Sequence, residues 1–327
     1  MNTEIRKTNF TVDDERCIGC GKCVDACPMH ILEVKDGCCL MVKEFMCLVC
    51  GTCLRECPVD AISIAGVGNP EQVMMNEEAK GKEAQGTTIH FVPILKKLTQ
   101  LISEELHPLQ VYQYQGMDIT DLDNFDLEGE TCYSRMYKTD KLEKISISST
   151  NFFGQMRADV MVITPGPEYD FPFYVMDWDE SEDHIFFICD LFPGDDPGRN
   201  GGYLEKYLYS RLEDLYQTYC MIPGLKNSVF HWVRAIQSPY IITGTVEKHP
   251  AGNVAHIFNC AVDYLKTWLT IYKEAQPRDP HSDYMKLIHE RRKVIRNYYI
   301  ENDPGGGAIN KFLGEERARK AMAIIVP

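Results

Sequence analysis

Three features are scarce in this sequence. No stretch approaches the roughly 18 consecutive apolar residues that a membrane span requires, although 44% of the 327-residue chain is hydrophobic. Basic charge is outnumbered, with 34 Lys and Arg against 48 Asp and Glu and a net charge of −14. Such a surface is poorly suited to phosphate backbones. Nucleotide signatures are missing too, since neither GxGxxG nor GxxxxGK[ST] occurs in a strand-turn-helix setting. These absences argue against a membrane span, a nucleic-acid partner and a nucleotide cofactor. The opening MNTEIRKTNF lacks the apolar core of a secretory signal, so a reducing, cytoplasmic location is expected. Cysteines there are read as metal ligands before they are read as disulfides.

Cysteine is plentiful but unevenly spread, with ten of fourteen lying before residue 58. CIGCGKCVDACP at 17–28 recurs as CLVCGTCLRECP at 47–58, both in the spacing CxxCxxCxxxCP. In this arrangement three thiolates on one tight turn hold a cubane, and the fourth cysteine reaches across to the other cluster. Two [4Fe-4S] clusters are therefore predicted. Cys17, Cys20, Cys23 and Cys57 would ligate one; Cys47, Cys50, Cys53 and Cys27 would ligate the other. Zinc sites normally use pairs of CxxC rather than this triple spacing. Gly19, Gly21 and Gly51 would let the loops wrap so that amides face sulfur. Cys38, Cys39, Cys132, Cys189, Cys220 and Cys260 lack ligand spacing and read as buried apolar cysteine.

The duplication predicts a pseudo-twofold domain over residues 1–67, each copy continuing into a short strand (HILEV, AISIA). Residues 68–88 are rich in Gly, Asn, Glu, Lys and Gln and read as a linker. A second domain would occupy 89–327. It opens on a helix within 91–106, where Ile94, Leu95, Leu98, Leu101 and Ile102 share one face. From 109 to 193, β-branched and aromatic runs alternate with turn clusters, as in consecutive antiparallel strands. Helical periodicity returns after Gly202. Strands followed by helices indicate an α+β layered domain.

A cubane passes one electron at a time, so the chemistry must lie downstream. Reducing a conjugated acceptor also needs positioned proton donors. Asp190, within FFICDLFP, is a carboxylate embedded in an apolar run, where burial would raise its pKa. The acidic stretch Asp177, Asp179, Glu180, Glu182 and Asp183 reads mostly as a solvated hairpin, with Asp177 best placed for function after FPFYVM. His184 and His231 read as structural histidines. His256 and Asp263 share a helix face and are candidates to enter a cavity. Lys286, Arg291, Arg292, Lys293 and Arg296 form a basic cluster that reads as a solvated helix face.

ITPGPEYDFPFYVMDW, HIFFICDLFP, SPYIITGT and the terminal segment through FLGEERARKAM, in that order over roughly 130–327, resemble the ferredoxin-dependent bilin reductase family. The N-terminal repeat resembles bacterial 2[4Fe-4S] ferredoxins. The first resemblance implies an α/β/α sandwich with a central antiparallel sheet that holds a linear tetrapyrrole, biliverdin by default, between sheet and C-terminal helices. It implies oxidoreductase chemistry on CH–CH groups through radical intermediates, with no metal or flavin in the reductase domain and with aspartate among the proton donors.

Asp190 matches the family's central-strand aspartate, and Glu168 falls near an acidic residue used by some members. Asp177 and His256 complete the candidate donors. The family's histidine or asparagine on the preceding strand has no match, which leaves regiospecificity open. The arginine often found after SPY is replaced by Thr245, with Lys248 and His249 beyond. Arg234, Lys248 and Lys266 are then the candidates for clamping substrate propionates. The expected partners are the tetrapyrrole and an external low-potential electron donor. Reduction of another tetrapyrrole, a flavin-dependent reductase, and a non-catalytic tetrapyrrole carrier or electron-transfer adaptor stand as alternatives.

Overall fold

The computed structural model describes residues 10–27, 31–42, 52–64, 90–127, 129–152, 154–222, 225, 231–249 and 251–327. Cys47, Cys50, Gly51 and the expected linker lie outside them. Among the described residues no helix is long and apolar enough to cross a membrane.

Among its described residues the N-terminal unit has two antiparallel strand pairs and two short helices. β1 (Phe10–Val12) pairs with β4 (Ile62–Ile64), and β2 (Leu32–Lys35) pairs with β3 (Cys38–Met41). α1 (Lys22–Ala26) and α2 (Thr52–Arg55) follow the two cysteine turns. The β2–β3 connection is Asp36-Gly37, both at positive φ, as a two-residue type I′ hairpin demands. Its core is small: Ile31, Leu32, Leu54, Ile62 and Ile64 close around the cysteines. So little apolar surface stabilises a fold weakly, and cluster ligation would supply much of the remainder.

The larger unit is built on one antiparallel sheet. β9 (Glu130–Lys138), β10 (Leu142–Phe152), β11 (Met156–Pro165), β12 (Phe173–Glu180), β13 (His184–Phe192) and β14 (Ile242–Glu247) lie side by side in sequence order. β5 (Leu109–Val111) and β8 (Phe125–Leu127) both pair with β9. A small hairpin, β6 (Gln113–Tyr114) with β7 (Met117–Asp118), stands apart.

Helices cover both faces, giving the α/β/α sandwich. On the first face α3 (Ile94–Leu106), α4 (Ser210–Tyr219) and α6 (Ala251–Glu274) pack on Met161, Tyr174, Trp178, Phe187 and Leu191. α3 buries Ile94, Leu95, Leu98, Ile102 and Leu106, while the expected Leu101 is half-buried beside them. Each such side chain contributes roughly 1.5–3 kcal/mol on burial. A π-helical stretch, Leu204–Tyr209, leads into α4. On the second face α5 (His231–Ile236) and α7 (Asp283–Asn302) lie over Val162, Phe173, Val175, Ile188 and Phe192. α8 (Pro304–Leu313) and α9 (Glu315–Ile325) close the far end against β8, β9 and β10.

Lys144 fixes that end. It is fully buried, and its Nζ donates to the carbonyls of Ala323, Ile324 and Val326 at 2.5–3.0 Å. An amine on the open carbonyls of a helix C-terminus satisfies acceptors that the helix leaves unpaired, although burial pulls its pKa down to about 7.

A polar cluster lies at the start of the unit. Glu180, fully buried, accepts from Val92 N–H at 2.8 Å and from Trp178 Nε1 at 3.1 Å, and pairs with Lys248 at 2.8 Å. Arg157 donates to the Val92 carbonyl and pairs with Asp159 at 3.1 Å. Glu180 is thus a buried anchor, where its acidic neighbourhood in the sequence suggested a solvated hairpin. The strand alternation that turns Trp178 inward turns Glu180 inward with it.

Candidate functional site

Two sites stand out. The first is a cavity in the N-terminal unit lined by the sulfur-bearing Cys17, Cys20, Cys23 and Cys57, with Val34 and Ile62 as apolar walls. Gly19 is at φ +64°, and a Cβ there would come within 2.6 Å of the Gly37 carbonyl oxygen, so no larger residue fits the turn. Gly21, at φ +75°, begins α1. Backbone amides point at the sulfurs: Cys39 N–H donates to Cys17 Sγ at 3.4 Å and Ala61 N–H to Cys57 Sγ at 3.3 Å. The Cys39 N–H, with a second amide from Gly19, holds the Cys17 thiol below its ordinary pKa. Four cysteines, apolar walls and inward amides suit an iron–sulfur cluster. Cys27 and Cys53 are buried on the same core; their expected co-ligands Cys47 and Cys50 lie outside the described residues.

The second site is on the sheet face beneath α5 and α7. Asp190 on β13 is fully buried opposite Val175 on β12. Its carboxylate accepts from Ser238 N–H at 2.7 Å, from the Ser238 hydroxyl, and from Leu191 N–H at 2.8 Å. Burial nevertheless outweighs these bonds and raises its pKa to about 7. Asp177 and Asp179 project from the same face of β12, since they stand opposite Ile188 and Phe186. Both are half-buried. Burial, then repulsion from Asp303 and Asp159, raises Asp179 to about 7. Burial, then repulsion from Asp179 and Asp303, pushes Asp177 well above the carboxylate range.

Aromatic rings border these acids. Tyr299 of α7 packs edge-on to Trp232 with centroids 5.0 Å apart and lies 6.2 Å from Phe192. Thr243 Oγ1, opposite Ile188 on β14, is buried and has no hydrogen-bond partner among the described residues. An unpartnered buried hydroxyl on the same sheet face as three carboxyls with raised pKa values gives that face the polar groups a ligand surface needs among apolar residues.

The other expected site residues are elsewhere. Glu168 is exposed in the β11–β12 loop. His256 lies on α6, on the opposite side of the sheet from Asp190, with Nε2 3.1 Å from the Thr218 carbonyl and its ring edge-on to Tyr219. Asp263 on that helix accepts from Tyr219 at 2.6 Å. Lys266 is exposed and pairs with Asp263 at 3.2 Å; Lys248 is engaged with Glu180; Arg234 is exposed on α5. Asp177 and Asp190 are therefore the two expected donors that the fold brings together. Sequence reasoning passed over Asp179 because three further acids, Glu180, Glu182 and Asp183, follow it. The alternation Asp177-Trp178-Asp179 was the signal, since one buried tryptophan places both neighbours on the other face. The basic cluster of α7 also divides: Arg292 turns inward to the carbonyls of Pro165, Gly166 and Tyr169, while Lys286 and Lys293 pair with neighbours on their own helix.

Comparison with known proteins matches a family to each of the two units. Residues 97–325 match the model of the ferredoxin-dependent bilin reductases, and residues 10–33 match the 4Fe-4S binding domain. Phycoerythrobilin:ferredoxin oxidoreductase of Gloeobacter violaceus is 25% identical over 193 residues, which span 56% of this chain and 73% of that protein. Ferredoxin-2 of Desulfomicrobium norvegicum is 54% identical over 26 residues, 8% of this chain and 44% of that ferredoxin. Phytochromobilin synthase from tomato, solved in complex with biliverdin, superimposes with a TM-score of 0.58 at 16% identity over 70% of this chain and 79% of that one, a likeness of fold. The chain belongs to the ferredoxin-dependent bilin reductase family and carries a 4Fe-4S binding domain ahead of the reductase domain.

Proposed function

We propose that this chain is a self-contained reductase in which two N-terminal [4Fe-4S] clusters deliver electrons to a linear tetrapyrrole bound against the sheet beneath α5 and α7. The observation that carries this reading is the set of three carboxyls, Asp177, Asp179 and Asp190, with raised pKa values on that one face. Cys17, Cys20, Cys23 and Cys57 would hold one cluster and Cys27, Cys47, Cys50 and Cys53 the other, each supplying one electron at a time.

The residues of the pocket have separable tasks. Val175, Ile188, Phe192 and Trp232 form an apolar wall that excludes water from a flat conjugated ligand. Asp190, part-protonated near pH 7, presents a proton and is held in position by Ser238. Asp177 and Asp179, two residues apart on one strand, disfavour each other's charge, so the pair retains a proton through the neutral range. A carboxyl that gives up its proton to a reduced ligand can be recharged through its neighbour. Reduction thereby proceeds by alternate electron and proton delivery at carbon, which is CH–CH chemistry.

The test is anaerobic. Dithionite-reduced protein is mixed with biliverdin and the visible spectrum followed. Conversion of the bilin bands with re-oxidation of the iron–sulfur absorbance, abolished in Asp190→Asn, is expected. Bilin binding without conversion would favour a carrier, and no binding would point to a different tetrapyrrole.

A further inference from the structure

The cavity of the first cluster site is lined by five cysteines. Beside Cys17, Cys20, Cys23 and Cys57 stands Cys39, from the middle of the β2–β3 hairpin and 4% exposed. Its backbone N–H donates to Cys17 Sγ at 3.4 Å, and its thiol lies in hydrogen-bonding contact with the Cys23 sulfur. The adjacent Cys38 thiol donates to Asp14 Oδ1 at 3.2 Å and also lies in hydrogen-bonding contact with the Cys17 sulfur. One residue thus offers an amide to one ligand sulfur and a thiol to a second.

The duplication makes this placement uneven. The repeat that matches Cys17 with Cys47 matches Val34 with Ile64 at the same offset. Val34 is paired with Cys39 and Ile64 with Phe10. The pseudo-twofold therefore relates Cys39 to Phe10, a side chain with no hydrogen to donate. A thiol stands beside the first site and an aromatic ring occupies the corresponding place in the other half.

We propose that Cys39 is a positioning and tuning residue of the first cluster site, which donates its N–H and S–H to the ligand sulfurs of Cys17 and Cys23 and so makes that site easier to reduce than its twin. Reduction adds one negative charge to a cluster and its thiolates, and hydrogen bonds to the sulfurs stabilise the more negative state. Removing the S–H therefore lowers the potential of the first site and leaves the second where it was. The difference biases a single electron toward the Cys17 half of the domain. This inference rests on the reading that both sites hold clusters.

The test is a potentiometric titration of the full chain followed by electron paramagnetic resonance, with iron and acid-labile sulfide measured on the same samples. In Cys39→Val with full iron content, one of the two couples should shift toward the oxidised form by about tenfold in its one-electron equilibrium, about 59 mV for n = 1. Cys39→Ser, which keeps a donor, should lie between Cys39→Val and the unaltered chain. If Cys39→Val loads poorly, the same comparison is read between Cys39→Ser and Cys39→Ala. Fully loaded variants with both potentials unchanged overturn the role of Cys39 and leave the cluster reading intact. Absence of iron and labile sulfide from the unaltered chain would overturn that reading itself.

Discussion

Under α3, α4 and α6 the sheet presents Met161, Tyr174, Trp178, Phe187 and Leu191; one residue along on the same strands, under α5 and α7, it presents Val175, Asp177, Asp179 and Asp190. The first surface is a packed core whose charges are confined to one corner and paired there. The second keeps apolar walls but adds carboxyls and an unpartnered hydroxyl. Alternate residues of a strand point to opposite faces, so a single sheet offers a packed foundation on one side and the proposed site on the other. A substitution's consequence should therefore depend on residue parity more than on distance along the chain.

The strongest way to break this contrast is Asp190→Asn, which removes the proposed proton donor while keeping size. Bilin conversion should fall roughly 10²–10⁴-fold, the usual range for a lost general acid, with bilin binding largely retained in a spectroscopic titration. On the other face Trp178→Ala should lower stability by about 3–5 kcal/mol in urea denaturation of the reductase unit. Protein that stays folded should still convert bilin. Reversal of these two outcomes would falsify the division of labour.

A pH series sharpens the comparison. Asp190 has a folded pKa of about 7, above the ordinary aspartate value near 4 expected in the unfolded chain. The native state binds the extra proton, so this contribution to stability is intact below about pH 4 and is lost as pH rises through 7. Between pH 4 and 8 the unaltered protein should lose roughly 4 kcal/mol more than Asp190→Asn. The smallest effect is expected from Thr243→Val. Removing a buried hydroxyl without a partner should leave the ligand-free protein as stable or more so, by up to about 1 kcal/mol, and weaken bilin binding several-fold. Equal bilin affinity in that variant would remove Thr243 from the pocket.

Much of this was legible in the sequence, for reasons that differ by region. The cluster cysteines announce themselves because their geometry is local: one turn sets three ligands, and spacing encodes it. Asp190 was legible as a charge inside an apolar run. Asp179 and Glu180 were not, because a run of acids looks solvated until the register shows which face each one takes. His256 failed differently. Helical periodicity places it with Asp263 on one side of α6, but periodicity cannot say against which side of the sheet a helix packs. Cys39 has no ligand spacing, and only the hairpin register brings it to the cavity.

Val92 has both its backbone groups bound, the amide by Glu180 and the carbonyl by Arg157. That attachment sits ahead of the first helix, at residues with no regular secondary structure. Dissection of the chain must respect it: a reductase fragment beginning at Ile94 would leave a buried carboxylate and a guanidinium each short of a partner, and would be expected to aggregate or melt early. A fragment beginning before His90 should behave as an autonomous unit. The functional edge of the catalytic half is thus set by a pair of backbone hydrogen bonds rather than by where its first helix starts.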